Sequence, residues 1–241
     1  MAGFKMKHDL RKDLMQMYGR QGYLKTKDYI DRLYYESTRK PPNTNSIKHL
    51  RGELAEIVLE LLVREFVRKY PECFYVKGLT LRNLKQENRY TELDITLFTK
   101  SCVYLFESKS LRGGKLLIED CKIRRSQSDS VVNVYGQNKH HLDTLHANIH
   151  EYKIKPGRGY KLVLFEYSDS PLKDVRMEDM KERFPYVNEK TLSGYLEKHL
   201  GEETVWNMPG LYRFISDEIN KSDYRFKKHV VNMKRLKEGD D

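Results

Sequence analysis

The chain has 241 residues and a formal net charge of +10, from 45 Lys and Arg against 35 Asp and Glu. That length holds one core-forming domain with extensions, or two small domains, and the basic balance points to a polyanionic partner, nucleic acid or an anionic membrane surface, unless it serves solubility alone. Cys73, Cys102 and Cys121 are scattered without a C-x-x-C pair, which argues against a disulfide scaffold and against a zinc site.

No run of about twenty apolar residues is present, so no transmembrane helix is expected. The charged start MAGFKMKHDLRKDL lacks the apolar stretch of a signal peptide, and the expected compartment is the reducing cytoplasm. Residues 1–44 are basic and rich in tyrosine. Leu10, Leu14 and Met17, then Tyr29, Ile30 and Leu33, recur at helical spacing and predict one or two helices. Two readings stand for this arm. Lys5, Lys7, Arg11, Lys12, Arg20, Lys25 and Lys27 contact phosphates while Tyr18, Tyr23, Tyr34 and Tyr35 stack on bases; or the arm is amphipathic and packs on the main domain with its basic face solvated. Packing is the preferred reading for the tyrosines. Pro41 and Pro42 end the region.

Asn45 or Ser46 caps a long helix, predicted over about Ile47–Tyr70, with Leu54, Ile57, Val58, Leu61, Leu62 and Phe66 on an apolar stripe. Gly52-Glu53 stands near its start, and Glu56 and Glu60 follow near the same side. Glu53 is a candidate site carboxylate; its alternative is an ordinary surface glutamate near a helix start. Cys73–Leu81 predicts a strand. The stretch Tyr90–Leu111 then predicts a hairpin: Leu93, Ile95, Leu97, Val103 and Leu105 are apolar at every second position, and Thr99-Lys100-Ser101 is the turn. Glu107 and Lys109 share a face, and antiparallel pairing brings Asp94 beside them.

Two carboxylates this close repel unless a cation sits between them. Hard oxygen ligands suit Mg²⁺, which takes few protein carboxylates and keeps water and substrate phosphate in its other positions. A neighbouring lysine orients or deprotonates the attacking water. The competing reading is a strand whose polar face merely happens to carry Glu and Lys.

Arg112 to Val132 reads as a long irregular stretch with a turn at Gly113-Gly114 and a short strand at Lys115–Ile118. Its Arg112, Lys115, Lys122, Arg124 and Arg125 suit phosphate contact. A helix follows from Gly136 to about His150, with Leu142, Leu145 and Ile149 on its buried side and Gln137 at its start facing the site. Lys139 and His141 are candidate nucleic-acid contacts, and His140, His141, His146 and His150 are read as facing solvent or DNA rather than a metal. Tyr160–Tyr167 predicts a buried strand. Beyond Ser168, Leu192–Leu200, Met208–Ile219 and Phe226–Lys237 predict helices, read mainly as a packing extension, with a lesser share for DNA contact by Lys227, Lys228, His229, Lys234 and Arg235.

The order of these elements resembles the PD-(D/E)xK nuclease superfamily, whose core is an α-β-β-β-α-β unit, and within it the nuclease-related domain family. Gly52-Glu53 matches that family's helical Gly-Glu, Asp94 its strand aspartate, Glu107-Ser108-Lys109 its E-x-K, and Asn133 with Gln137-Asn138 its Asn-Pro-x-x-Gln-Asn. Leu93 replaces the proline of the superfamily name, and Val134 that of the Asn-Pro pattern. The likeness covers about residues 46–167.

It implies an α/β fold, an α+β mixed sheet with a restriction-endonuclease-like nuclease core (45–168); the basic helical arm (1–44) and the mostly helical extension (169–241) lie outside the likeness and are read from their composition and periodicity. It also implies a hydrolase, a metal-dependent DNA endonuclease leaving a 5′-phosphate and a 3′-hydroxyl; with no residues recognised as reading bases, low sequence specificity is expected. Asp94, Glu107 and the main-chain carbonyl of Ser108 would hold Mg²⁺, with Mn²⁺ substituting. Glu53 would be an added ligand, Lys109 would act on the water or the transition state, and Gln137 would orient Lys109, the water or a phosphate. DNA is the expected partner, with RNA, a homodimer and the biological pathway left open. The rival functions are a catalytically silent nucleic-acid-binding module on the same fold and a partner-docking protein that uses the tyrosine-rich arm.

Overall fold

The apolar side chains of the central strands split between two faces of one sheet, and helices cover both. The computed structural model describes residues 7–39, 45–84, 89–110, 115–117, 122–124, 131–152, 154, 159–168, 184–198, 200 and 208–238. The elements run α1 (Lys7–Arg39), α2 (Asn45–Lys69), β1 (Phe74–Arg82), β2 (Tyr90–Phe98), β3 (Val103–Lys109), β4 (Lys115–Leu117), β5 (Lys122–Arg124), β6 (Val131–Val132), α3 (Val134–Glu151), β7 (Tyr160–Glu166), β8 (Tyr186–Asn188), α4 (Leu192–Glu197) and α5 (Met208–Glu238). The main sheet is five-stranded, in the order β1-β2-β3-β7-β8. Its first three strands are antiparallel neighbours; β7 runs parallel to β3, and β8 parallel to β7. Helix α3 is the crossover between parallel β3 and β7, the connection such a pair requires. The expected α-β-β-β-α-β order is present, in a mixed-sheet α+β fold with helical flanks.

One core lies between the sheet and α3 with α5, and includes Leu79, Leu93, Leu105, Leu145, Leu164 and Phe214. The other lies between the sheet and α1, α2 and α4, and includes Leu14, Ile57, Ile95, Leu97, Phe106 and Phe165. These lists correct the simple alternation expected of β2. Leu93 belongs to the first core, whereas Ile95 and Leu97 belong to the second. The same change of face occurs opposite, in β1: Val76 and Leu79 are three apart yet share the first core. Gly78 lies between them at φ 61, a left-handed conformation open to glycine at little cost. Both strands therefore change phase together, and Asp94 stands at the change in β2.

Several other expectations are revised. The stretch read as irregular forms a small antiparallel sheet, β4-β5-β6. Strand β8 was not anticipated, because three residues carry too little periodicity to register. The helices predicted at Met208–Ile219 and Phe226–Lys237 are one helix, α5. Helix α1 is broken at Gly22 (φ 78, ψ −179), so it comprises two helical pieces. The breaks and turns expected at 40–43 and 113–114 lie outside the described residues.

The arm is tied down by polar contacts as well as by Leu14 and Ile30. Buried Glu60 meets Arg11 at 3.0 Å, Arg64 at 2.9 Å and Lys77 at 3.9 Å, linking α1, α2 and β1. Buried Tyr34 reaches Ser110 Oγ at 2.5 Å, just past β3, while Tyr35 is 51% exposed. At the opposite side α5 shields edge strand β1: the Thr80 amide donates to Ser222 Oγ (2.9 Å), Ser222 donates to the Gly78 carbonyl (3.3 Å), and Arg225 donates to the Thr80 carbonyl (3.5 Å). Among the described residues no helix is long and apolar enough to cross a membrane.

Candidate active site

Antiparallel pairing of β2 with β3 matches Ile95 to Phe106, so the next residues outward, Asp94 and Glu107, meet at the end of the hairpin. The Ser108 amide donates to Asp94 Oδ2 at 3.2 Å, which holds the aspartate against β3. Glu107 is only 1% exposed. Lys109 lies two residues on, and its Nζ donates to Glu107 Oε1 at 2.5 Å and to Gln137 Oε1 at 3.4 Å. The sequence-predicted Asp94, Glu107, Lys109 and Gln137 are therefore brought together.

Gln137 reaches Lys109 because of how α3 begins. Asn133 caps the helix, its Oδ1 accepting from the Gly136 amide at 2.8 Å. A Cβ on Gly136 would stand 2.6 Å from that asparagine side chain, so glycine leaves the room the cap needs. One residue beyond Gln137, buried Asn138 donates to the Leu105 carbonyl at 3.1 Å and pins the helix to β3. The glutamine thus faces the site while its neighbour anchors it.

The electrostatics follow from burial. Burial raises Asp94 above the usual carboxylate range, opposed by the Ser108 amide and by Lys109. Burial, then the Asp94 charge, pushes Glu107 up to about 7, with Lys109 opposing. Two acids in a dry corner resist joint ionisation.

Helix α2 brings further carboxylates. Glu53 lines a groove of about 280 Å³ with Arg11, Lys48, His49, Gly52 and Glu56. Glu56, one turn beyond Glu53, carries a carboxyl that feels Asp94. Burial, then the Asp94 charge, raises it to about 7, against Arg11, with Glu92 and Glu53 adding to the rise. Glu92 is raised by burial and by Asp94. The helical spacing that selects Glu53 also offers Glu56, and only the packing of α2 on the sheet separates them. Arg11, read as a phosphate contact, is held by Glu56 (3.7 Å) and Glu60 (3.0 Å). Among the described residues no three His, Cys, Asp or Glu side chains form a ready cage for a metal ion.

The nucleic-acid candidates are dispersed. Lys139 is 53% exposed and lies 3.5 Å from Asp143. Lys115 and Arg124 are cross-strand partners in β4 and β5, and Arg112 and Arg125 lie outside the described residues. His141 needs correction. It does not face solvent or DNA but is 8% exposed, with Nδ1 3.5 Å from Glu107 Oε2. Burial, then His140 and Lys109, lowers it to about 4 and keeps the ring neutral. Its place three residues after Asn138, on the buried side of α3, was the available signal.

No curated protein and no solved structure matches the chain. Residues 50–165 match the nuclease-related domain family. That span opens two residues before Gly52-Glu53 and closes on Phe165 in β7, so it takes in every element that shapes the carboxylate corner. The segment that builds this site therefore belongs to the nuclease-related domain family.

Proposed function

We propose that the protein is a metal-dependent nuclease that hydrolyses phosphodiester bonds, with DNA as its main substrate and little sequence specificity. The observation that carries this reading is the convergence of Asp94, Glu107 and Lys109 at one end of the hairpin, with Gln137 behind the lysine. Glu107 Oε2 is buried and has no hydrogen-bond partner among the described residues. An unsatisfied carboxylate oxygen beside a second carboxylate fits a hard divalent cation, which takes one or two such ligands and completes its shell with water and phosphate. Asp94, Glu107 and the Ser108 carbonyl would hold Mg²⁺ or Mn²⁺, and the bound ion would acidify a water and neutralise charge on a phosphoryl oxygen. Glu53 or Glu56 would add a ligand from α2, since both line the same groove and the Glu56 carboxyl senses Asp94.

Lys109 has two jobs in this reading. Its ammonium, steered by Gln137, orients the attacking water and stabilises the negative charge that builds on the phosphoryl oxygens. Glu107 holds the lysine in place before substrate arrives. Lys139, exposed on α3 two residues beyond Gln137, and the net charge of +10 attract the phosphate backbone without reading bases.

The test is cleavage of supercoiled plasmid and of single-stranded DNA by the purified chain, in Mg²⁺, Mn²⁺ or EDTA, beside Asp94→Ala and Lys109→Ala. Cutting that EDTA stops and that both folded variants lack supports the reading. Equal trace cutting by all three proteins refutes it, and DNA binding without cutting would make the fold a silent binding module.

A further inference from the structure

The buried polar residues of α3 act as teeth against the sheet. Asn138 donates to the Leu105 carbonyl of β3, and Asn148 to the Arg82 carbonyl at the end of β1 (2.9 Å). His141 occupies the same buried side but meets a site carboxylate instead of a backbone carbonyl. An apolar residue would fill that position at lower desolvation cost, so the imidazole calls for a polar partner.

We propose that His141 is a positioning residue, whose Nδ1–H holds Glu107 Oε2 and fixes the plane of the carboxylate that binds the metal. This rests on the reading of Asp94 and Glu107 as the metal pair. Lys109 already holds Oε1 at 2.5 Å, and His141 Nδ1 lies 3.5 Å from Oε2, which has no hydrogen-bond partner among the described residues. With the ion bound, that separation would shorten to a hydrogen bond. With a donor at each oxygen the carboxylate cannot turn, and its remaining lone pairs are left for the ion. Groups of this kind behind a ligand set its orientation and basicity, and their loss weakens metal binding by about 10- to 100-fold. His140 and Lys109 are the other charged or titratable groups that act on the ring. The neighbouring carboxylate selects the Nδ1–H tautomer.

The experiment is calorimetric titration of Mn²⁺ into the full chain, for wild type, His141→Leu, His141→Asn and His141→Gln, with a thermal melt of each. Asparagine puts an amide nitrogen where Nδ1 stands; glutamine puts it further out. His141→Leu and His141→Gln are expected to bind Mn²⁺ about 10- to 100-fold more weakly, and His141→Asn to return within a few-fold of wild type. In cleavage assays KM for DNA stays unchanged in all three, because the ring does not touch substrate. If the leucine variant does not fold, the contrast of asparagine with glutamine decides. Equal Mn²⁺ affinity in wild type, His141→Gln and any folded leucine variant overturns the proposal, as does a rise in KM for DNA alone. Asparagine as weak as glutamine reduces His141 to packing and also overturns it. A wild type that binds no Mn²⁺ overturns the metal pair itself, and that outcome is distinct from the others.

Discussion

Replacing Glu107 by glutamine should abolish cleavage and, without metal, make the protein more stable at pH 8. In the folded chain Glu107 keeps its proton until about 7, against 4.5 for the free side chain, because it is buried beside Asp94. The folded state therefore binds more protons than the unfolded state between those values. Stability then falls as pH rises through that window and levels off above it. At 1.36 kcal/mol per pH unit the loss is about 3 kcal/mol, and the 1% exposure of the side chain leaves little solvent to soften it. Glutamine has no proton to lose and still accepts from Lys109. At pH 5 the two proteins should be nearly equal; at pH 8 in EDTA the variant should lead by about 2–3 kcal/mol, roughly 4–12 °C in Tm for a chain of this size. Guanidinium denaturation at both pH values measures the gap. Mg²⁺ should close the gap by stabilising the wild type, by about 2.7 kcal/mol at a hundred times Kd, and reverse the order near a thousand times Kd, where the gain is about 4.1 kcal/mol. Parallel pH dependence of the two proteins in EDTA would refute the reasoning, because Glu107 would then not be the strained acid.

Two glycines should separate the site from the scaffold. Gly78→Ala forces a left-handed alanine at φ 61, costs about 1–2 kcal/mol, and should lower kcat in the fraction that stays folded, because Asp94 stands at the same change of strand phase. Gly159→Ala sets a Cβ 2.5 Å from the Ser101 carbonyl oxygen and 3.0 Å from Cys102 Cα; it should cost about 1–3 kcal/mol through overpacking yet leave kcat intact, since that contact is at the turn end of the hairpin. Thermal melts paired with turnover at a temperature where each variant is folded distinguish the two. DNA affinity should fall steeply with salt, and Lys139→Ala should reduce the log–log salt slope by about 1 without changing sequence preference; an unchanged slope would remove Lys139 from the DNA-facing surface.

Local periodicity made much of the fold legible. The stripe of α2, the two strands of the hairpin and the apolar run Leu162–Phe165 each show a pattern that one element can satisfy. Their order then placed Asp94, Glu107, Lys109 and Gln137 correctly relative to one another, since a hairpin and a capped helix are short-range constructions. Long-range facts were hidden. Choosing between Glu53 and Glu56 requires the docking angle of α2 on the sheet. Burial of His141 depends on α3 leaning against β3 through Asn138; its place on that side of the helix was a weak signal, diluted by its being one of four histidines in α3. The exchange of faces at Asp94 rests on one backbone angle in a partner strand, Gly78, sixteen residues earlier. Strand β8 is too short to carry a period, and pairs only because β7 offers a free side.

The sheet has two vulnerable rims, and both are closed by the last third of the chain. Strand β8 pairs with β7, and α5 covers the outer edge of β1, bonding its backbone at Gly78 and Thr80 through Ser222 and Arg225. Neither lies within residues 50–165. A chain cut at residue 168 would keep every site residue and lose both guards, baring the amides of an almost wholly buried strand and of a long edge strand. Such rims template intermolecular pairing. The segment that holds the carboxylate corner should therefore depend, for solubility, on a part of the sequence that contributes none of the corner's residues. A truncated chain should accumulate as β-rich aggregates rather than as a smaller enzyme.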